Sequence, residues 1–237
     1  MQERPGRLSR SEPTDILGAV SPHPPQPRTV EVGPERLARW LQGFTDRHGP
    51  PQQSVAVDTL SFVAPDGATA VFDPPFPPLP PDWAAGDPVS AIAEHALRRR
   101  VVGVLLVRLG GYAAGVFDGD ELVASKVGSR QVHGRSAAGG WSQQRFARRR
   151  EGQVKVALDA ATAAAALVLL PASSRIDVVV TGGDRPALRT VLADPRLSAL
   201  RSRVSARILD VPDPKARILR ESIEACRAVR VTITEPG

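Results

Sequence analysis

The first regular pattern along the chain is a set of apolar residues at helical spacing. Within residues 34–48, the side chains of Leu37, Trp40, Leu41 and Phe44 recur three and four positions apart. Positions at this spacing share one face of a helix. The pattern therefore predicts an amphipathic helix that packs this face on a core.

A hairpin is predicted directly after this helix. Two apolar strands, Ser54–Val63 and Thr69–Phe72, are joined by Pro65-Asp66-Gly67, which is a strong turn signal. The following stretch, 73–82, is dominated by proline and is typical of a stiff polyproline II linker. Residues 1–28 are rich in Pro, Arg and Ser without periodicity. They predict disorder, with a short functional arm as the alternative.

A second block of apolar residues predicts three antiparallel strands. The β-branched run 101–109 is typical of a buried strand. Gly110-Gly111 then turns the chain into the strand 112–117, and Asp118-Gly119 turns it into the strand 121–127. Short turns of this kind join neighbouring antiparallel strands, so the block predicts a meander.

Helices and strands alternate in the remainder of the chain. A long helix is predicted from Gln143 to about Leu170, with Ser142 as its N-cap and Pro171 as its end. The other predicted elements are the helices 87–100, 186–193 and 214–227 and the strands 176–181, 206–211 and 229–234. The order predicts a mixed α/β (α+β) fold, in which an antiparallel meander precedes alternating helices and strands, beside a small N-terminal helix–hairpin module.

Length and composition bound the organisation and setting of the protein. A chain of 237 residues suits one large or two small domains, and we divide it into an extension (1–28), an N-terminal module with its linker (29–86) and a main domain (87–237). A lone cysteine, Cys226, excludes an internal disulfide and favours a reducing cytoplasm. The longest apolar run, Ala163 to Leu170, is too short to span a membrane. We expect a cytoplasmic monomer that needs no metal or other cofactor.

Positive charge is concentrated in one segment of the chain. The net charge is +6, from 31 basic and 25 acidic residues. Residues 122–150 contain seven basic residues and no acidic one, so the remainder has 24 basic against 25 acidic residues. The seven are Lys126, Arg130, Arg135, Arg145, Arg148, Arg149 and Arg150. A local basic field of this strength indicates a phosphate-rich partner.

A glycine-rich loop lies inside the basic segment. The predicted loop Gly128–Trp141 carries Gly128, Gly134, Gly139 and Gly140. Glycine lets backbone amides approach a substrate closely, and the next helix directs the positive end of its dipole at the loop. Such a loop can stabilise a phosphate or a developing oxyanion. The alternative is a solvated surface loop beside a cationic helix.

Two glutamines, Gln143 and Gln144, follow this loop. A side-chain amide donates and accepts hydrogen bonds but does not titrate near neutral pH, so it cannot act as a general base. It can orient a water molecule or hold a carbonyl. Hydrolysis of an activated ester, such as the aminoacyl or peptidyl ester of tRNA, needs little more than this positioning. The alternative is two solvated glutamines in the first turn of a helix.

The segment GGWSQQRFARRR resembles the catalytic loop of the release-factor superfamily, which has a Gly-Gly-Gln tip. It is most similar to the Vms-like release factor (VLRF) group in its actinobacterial form. The relaxed Gly-x-x-Gln tip of that group is matched by Gly140-Trp141-Ser142-Gln143. By the order of its predicted elements, the resemblance covers residues 101–233.

The resemblance implies a release-factor-like catalytic domain that hydrolyses peptidyl-tRNA on stalled ribosomal complexes, which is ribosome rescue. By the pattern of the family, Gln143 is the catalytic amide, and Gly139 and Gly140 shape the loop; Gln144 competes for the role of Gln143. Two alternatives stay open. In the first, the protein is a nuclease that cuts the tRNA acceptor end; in the second, it binds the ribosome and RNA without catalysis.

The arginines around the loop are the predicted RNA-binding residues. Arg145, Arg148 and Arg149 have the spacing of one helix face, with Arg150 beside it. This arrangement suits a phosphate clamp on tRNA or on the rRNA of the large ribosomal subunit. A solvated helix face is the alternative.

Three further residues belong to the predicted RNA site. Arg130 and Arg135 flank the tip and are placed to reach the phosphates of the acceptor end. Trp141 is suited to stack on a terminal adenine, or else anchors the loop by packing.

Overall fold

The protein has a mixed α/β fold, as the sequence predicts, and its strands form two five-stranded sheets. The computed structural model describes residues 26–108, 110–129 and 141–236, and for residues 141–150 it describes the backbone alone. The strands are β1 (Arg28–Val32), β2 (Gln52–Val55), β3 (Leu60–Val63), β4 (Thr69–Asp73), β5 (Val101–Arg108), β6 (Gly111–Asp118), β7 (Glu121–Ser129), β8 (Val178–Gly183), β9 (Val204–Leu209) and β10 (Val229–Thr234). The α-helices in these ranges are α1 (Leu37–His48), α2 (Pro88–Leu97), α3 (Trp141–Leu169), α4 (Arg185–Ala193) and α5 (Ala216–Arg227).

The first sheet contains the last strand of the chain. Its order is β1-β10-β4-β3-β2, and all neighbours are antiparallel. The strand predicted at 229–234 is confirmed as β10, and its residues Val229, Val231 and Ile233 are buried on one face. It pairs with β1 and β4, both from the first 73 residues, rather than with the strands that precede it in the chain. The domain bounds inferred from the sequence stay a prediction.

The core of the first sheet is aromatic. Phe44 of α1 and Phe72 of β4 are fully buried, and Trp40 lies against both rings. The helix predicted over 34–48 is confirmed, with a short 3-10 turn at Pro34–Arg36 before α1. Phe62 of β3 meets Phe72 edge to face at a centroid distance of 5.4 Å.

The strand predicted over Ser54–Val63 is wrong as a single strand. β2 and β3 pair with each other through a turn in which the amide of Ala56 donates to the carbonyl of Thr59 at 2.9 Å. Asp58 in this turn accepts a hydrogen bond from the amide of Leu79, and such residues stabilise turns against extended chain. The β3–β4 hairpin is confirmed.

The proline-rich stretch 73–82, predicted as a linker, packs against the first core. Leu79 is buried, and so is Trp83 just beyond the stretch. The indole Nε1 of Trp83 donates to the carbonyl of Val57 at 3.1 Å. These contacts fix the path of the chain into α2, whose N-cap is Asp87.

The second sheet has the order β7-β6-β5-β8-β9. The predicted meander is confirmed as the antiparallel strands β5, β6 and β7, while β8 and β9 are parallel to β5. α3 and α4 cover one face and α5 covers the other. Parallel neighbours need a crossover, and α3 is the crossover between the meander and β8.

One segment of the described chain has the length and apolar composition of a membrane-crossing helix. It is Glu151–Ala172, which includes most of α3. Its residues Ala161, Ala165 and Leu169 are buried against the second sheet. A helix that packs into a core on one face meets the same criteria of length and composition.

Two arginines connect the sheets. Arg207 of β9 donates to the carboxylate of Glu31 in β1 at 2.8 Å and to the carbonyl of Ala228. Arg100 donates to the carbonyl of His95 in α2 at 2.6 Å, and its guanidinium lies 4.9 Å from the ring centre of Phe76.

We expect Gly183→Ala to destabilise the fold. Gly183 has φ +104°, and a Cβ there would overlap the carbonyl oxygen of Val107. Backbone strain and overlap of this kind cost about 1–3 kcal/mol each. Denaturant unfolding measures the loss. Gly43→Ala in α1 is the matched control: a Cβ there meets nothing, so it should stabilise by about 0.5–1 kcal/mol. Equal stability of the Gly183→Ala variant and the native chain would contradict this packing.

Candidate functional site

Four strands of the second sheet end at the same edge. β7 runs parallel to β5, because both pair antiparallel with β6, and β8 and β9 are parallel to β5. The helices that follow β7, β8 and β9 are α3, α4 and α5. We call this edge the carboxyl edge. In open α/β sheets, ligands bind beyond the carboxyl ends of the strands, where helix N-termini also gather.

α3 runs from the carboxyl edge to the opposite edge. Near its end, Leu169 lies against Gly103, close to the beginning of β5. Nearer its beginning, Val154 and Leu158 lie beside Val107, close to the end of β5. Residues 141–150 therefore continue α3 beyond the carboxyl edge.

The predicted catalytic and RNA-binding residues follow β7 in the chain, and only some of them are described. Gly139, Gly140, Arg130 and Arg135 lie outside the described residues. Trp141, Gln143, Gln144, Arg145, Arg148, Arg149 and Arg150 belong to α3, where the backbone is described. The roles given to all of these residues stay predictions. The prediction of Ser142 as N-cap is wrong, because α3 begins at Trp141.

Gly128 is a strand residue and not a loop residue. It lies in β7, paired with Tyr112 of β6, and a Cβ at this position would overlap the hydroxyl and ring of Tyr112. Glycine is therefore needed here to admit the tyrosine ring. β7 ends at Ser129, and residues 130–140 of the predicted loop lie outside the described residues.

A cleft of about 230 Å³ opens at the carboxyl edge between α3 and α4. It is lined by Val107, Arg108, Gly110, Gly111 and Tyr112 of the sheet, by Val154, Ala157 and Leu158 of α3, and by Asp184, Pro186, Ala187 and Thr190 at α4. The lining is mainly apolar, with charged groups at the ends of β5 and β8. Ligand sites in proteins are typically apolar clefts with a few polar groups, so this cleft is a candidate binding site.

Asp184 and Arg108 are the charged residues of the cleft. The carboxylate of Asp184 caps α4 by accepting from the amide of Ala187 at 3.1 Å. The amide of Asp184 donates to the carbonyl of Val107 at 2.8 Å, which ties α4 to β5. Arg108 is paired with Asp210 at 3.3 Å, but the Asp210 side chain is 98% exposed, so this ion pair is weak.

Further cations surround the carboxyl edge. Arg185 and Arg189 are exposed on α4, and Lys155 is exposed on α3. None of the three has an ion-pair partner within the part of the chain that the structure describes. Glu151, Asp210 and Asp213 are exposed at the same edge, so its described part carries both signs of charge.

Two groups with shifted pKa values lie away from the carboxyl edge. Burial raises the pKa of Cys226 to about 12, so its thiol stays protonated and is no nucleophile. Burial also lowers the pKa of His95, although its hydrogen bond to the carbonyl of Phe76 opposes this. Across the described ranges, no three His, Cys, Asp or Glu side chains cluster as metal ligands would.

Sequence reasoning missed the cleft. β8 ends in Gly182-Gly183, directly before Asp184, which is the N-cap of α4. A strand that ends in paired glycines before a capped helix is the available signal. It identifies a carboxyl edge, but the walls of a cleft come from distant parts of the chain.

A protein-family model described as "Actinobacteria/chloroflexi VLRF1 release factor" matches residues 100–232, more than half of the chain. No curated protein matches the chain. The matched range contains the whole second sheet, with α3, α4 and α5.

Several solved structures are similar in fold. The archaeal translation termination factor aRF1 is 13% identical, with a TM-score of 0.43; the match covers 84% of this chain and 63% of that one, which is less than two thirds. The Vms1 mitochondrial localization core is 11% identical, with a TM-score of 0.41, over 83% of this chain and 80% of that one. A further archaeal protein is 12% identical, with a TM-score of 0.33, over 81% and 70%.

We expect Cys226 to be inert in the folded protein. Burial raises its pKa to about 12, so the thiol stays protonated at pH 8. An aromatic disulfide reagent should release no thiolate from the native chain within minutes, and one equivalent after denaturation in guanidinium. Rapid reaction of the native chain would contradict the burial of this residue.

Proposed function

We propose, because the chain belongs to the Actinobacteria/chloroflexi VLRF1 release factor family, that it hydrolyses peptidyl-tRNA on stalled ribosomal complexes. Membership of this family indicates a function in translation. The finer assignment, ester hydrolysis during ribosome rescue, is our proposal. The protein would act in the cytoplasm as a monomer, on peptidyl-tRNA held by the large ribosomal subunit.

The position of Gln143 carries this proposal. α3 begins at Trp141, so Gln143 lies in the first turn of a long helix. The first amides of a helix have no partner within it, and the dipole makes this end positive. An ester carbonyl that becomes an oxyanion is stabilised in such a place. The packing of Ala161 and Leu169 on the sheet holds the helix, and with it the glutamine's backbone, in one direction.

The proposed mechanism needs no titrating side chain. Gln143 orients the attacking water by donating and accepting hydrogen bonds, and the backbone at Gly139 and Gly140 approaches the ester. Hydroxyl groups of the tRNA next to the ester carry the proton to the leaving oxygen. Cys226 and His95, the buried groups with shifted pKa values, take no part.

Binding to RNA is assigned to the cations at the carboxyl edge. The proposed contacts are Arg130, Arg135, Arg145, Arg148, Arg149 and Arg150, with Trp141 stacking on a base. Exposed Arg185 and Arg189 on α4 extend the same cationic surface. Phosphate contacts of this kind give affinity that falls steeply with salt.

The first experiment follows both products of the reaction. Purified large ribosomal subunits carrying labelled peptidyl-tRNA are mixed with the native chain, Gln143→Ala or Gln144→Ala, and the peptide and the tRNA 3′ end are measured. We expect peptide release with an intact acceptor end. Gln143→Ala should slow release about 10²–10³-fold, the usual cost of losing a group that stabilises the transition state. Gln144→Ala is the matched control and should change the rate only a few-fold.

Three results would contradict this proposal. Release together with a shortened tRNA would make the protein a nuclease. Binding to the subunits without release by any variant would make it a ribosome-binding factor. Loss of release in Gln144→Ala alone would transfer the catalytic role to Gln144.

We expect Arg148→Glu with Arg149→Glu to weaken binding to the ribosomal complex. Each lost phosphate contact should lower the slope of log affinity against log salt by about one. Binding is measured by cosedimentation between about 50 and 200 mM salt. Arg39→Glu, an exposed arginine of α1 on the first sheet, is the control for charge change and should leave the slope unaltered. Equal effects of the two charge reversals would contradict a specific clamp.

A further inference from the structure

The cleft at the carboxyl edge has no role in the mechanism above. Its floor is formed by Val107 and Tyr112, and its walls by Val154 and Ala157 of α3 and by Ala187 of α4. At about 230 Å³ it is smaller than the cavities that take drug-sized ligands. A volume of this size suits one flat heterocycle or one side chain.

We propose that this cleft binds one base of the single-stranded acceptor end of tRNA. This inference rests on the proposed function, because it identifies the part of the same substrate that lies beside the ester. It assigns the cleft to a cytosine, whose exocyclic N4 amino group is a hydrogen-bond donor.

Charge in the lining distinguishes a nucleotide from an apolar side chain. Arg108 lines the cleft at the end of β5. A base offers an apolar face to the walls while its phosphate stays outside beside this cation. An apolar side chain of the nascent peptide would gain nothing from the arginine.

Asp184 accounts for the choice of base. Its Oδ1 accepts from the amide of Ala187, which holds the carboxylate at the mouth of the cleft. Oδ2 is the atom that we assign to the amino group, since carboxylates accept from the N4 amino group of cytosine. Uracil offers a carbonyl at this position and would be repelled.

The distance from Gln143 to the cleft requires an extended strand. From Gln143 to Val154, α3 rises about 16 Å at about 1.5 Å per residue. Stacked bases are spaced about 3.4 Å apart along a strand, so a stacked strand would cover this distance only in about five nucleotides. The cytosines next to the terminal adenosine therefore reach the cleft only with the strand unstacked and extended, as a base that enters a cleft requires.

A single tyrosine makes the cleft directly observable. Tyr112 is the only tyrosine in the sequence, so incorporation of 3-fluorotyrosine gives one fluorine resonance, from the cleft floor. The full-length chain is titrated with a pentaribonucleotide ending in CCA, with the same RNA carrying uracil for both cytosines, and with the same RNA lacking those two bases. We expect the resonance to shift with the first RNA, at an affinity at least about fivefold above the other two.

A pair of alanine substitutions tests the location. Ala157→Leu fills the cleft, while Ala163→Leu makes the same change on the exposed side of the same helix. Ala157→Leu should abolish the preference for cytosine, and Ala163→Leu should preserve it. Far-ultraviolet circular dichroism and thermal unfolding confirm that both variants fold.

Several outcomes would overturn the inference. These are an unshifted resonance, equal affinity for the three RNAs, or an unchanged preference in Ala157→Leu. A shift produced by an N-acetylated amino-acid amide and by none of the RNAs would assign the cleft to the nascent peptide. None of these measurements involves hydrolysis. Base binding without peptide release therefore supports this inference while contradicting the proposed function.

Discussion

The close packing of α3 on the second sheet is the contact on which the site depends. The buried face of the helix is rich in alanine, and Ala114 and Val116 of β6 face it in the same core. Small side chains let the helix axis approach the sheet closely, and dense packing permits one orientation. The beginning of α3 carries the predicted glutamine and arginines, so this distant contact sets the direction in which they leave the carboxyl edge.

The carboxyl edge combines two sources of positive potential. The amino ends of α3, α4 and α5 follow strands that end there, and each is the positive end of a helix dipole. Exposed Arg185 and Arg189 of α4 add full charges. Asp184, Asp210 and Asp213 lie at the same edge, so cations and carboxylates are mixed among the described residues, and the basic segment is the part of the chain to test for binding to RNA.

Sequence reasoning was most accurate where the signal is local. Turns at Gly67 and Gly119 adopt positive φ, which glycine tolerates, and the hairpins around both were predicted. Helix α2 begins at Asp87 as expected, because a carboxylate there accepts from the first amides. The error at residues 54–63 arises from a contact between residues that are distant in the sequence. That stretch is apolar enough for one strand, but Asp58 binds the distant amide of Leu79 and the chain turns.

The sequence by itself determined the elements, their order, the concentration of positive charge and the resemblance of the glutamine loop, because these depend on neighbouring residues. Only the tertiary structure decided which elements meet. The alternation of Val229, Val231 and Ile233 shows that one face of β10 is buried, but its insertion between β1 and β4 depends on pairing across more than 150 residues. The cleft also depends on contacts between distant residues. Its walls belong to α3 and α4 and its floor to β5 and β6, and no local pattern predicts that these surfaces face one another.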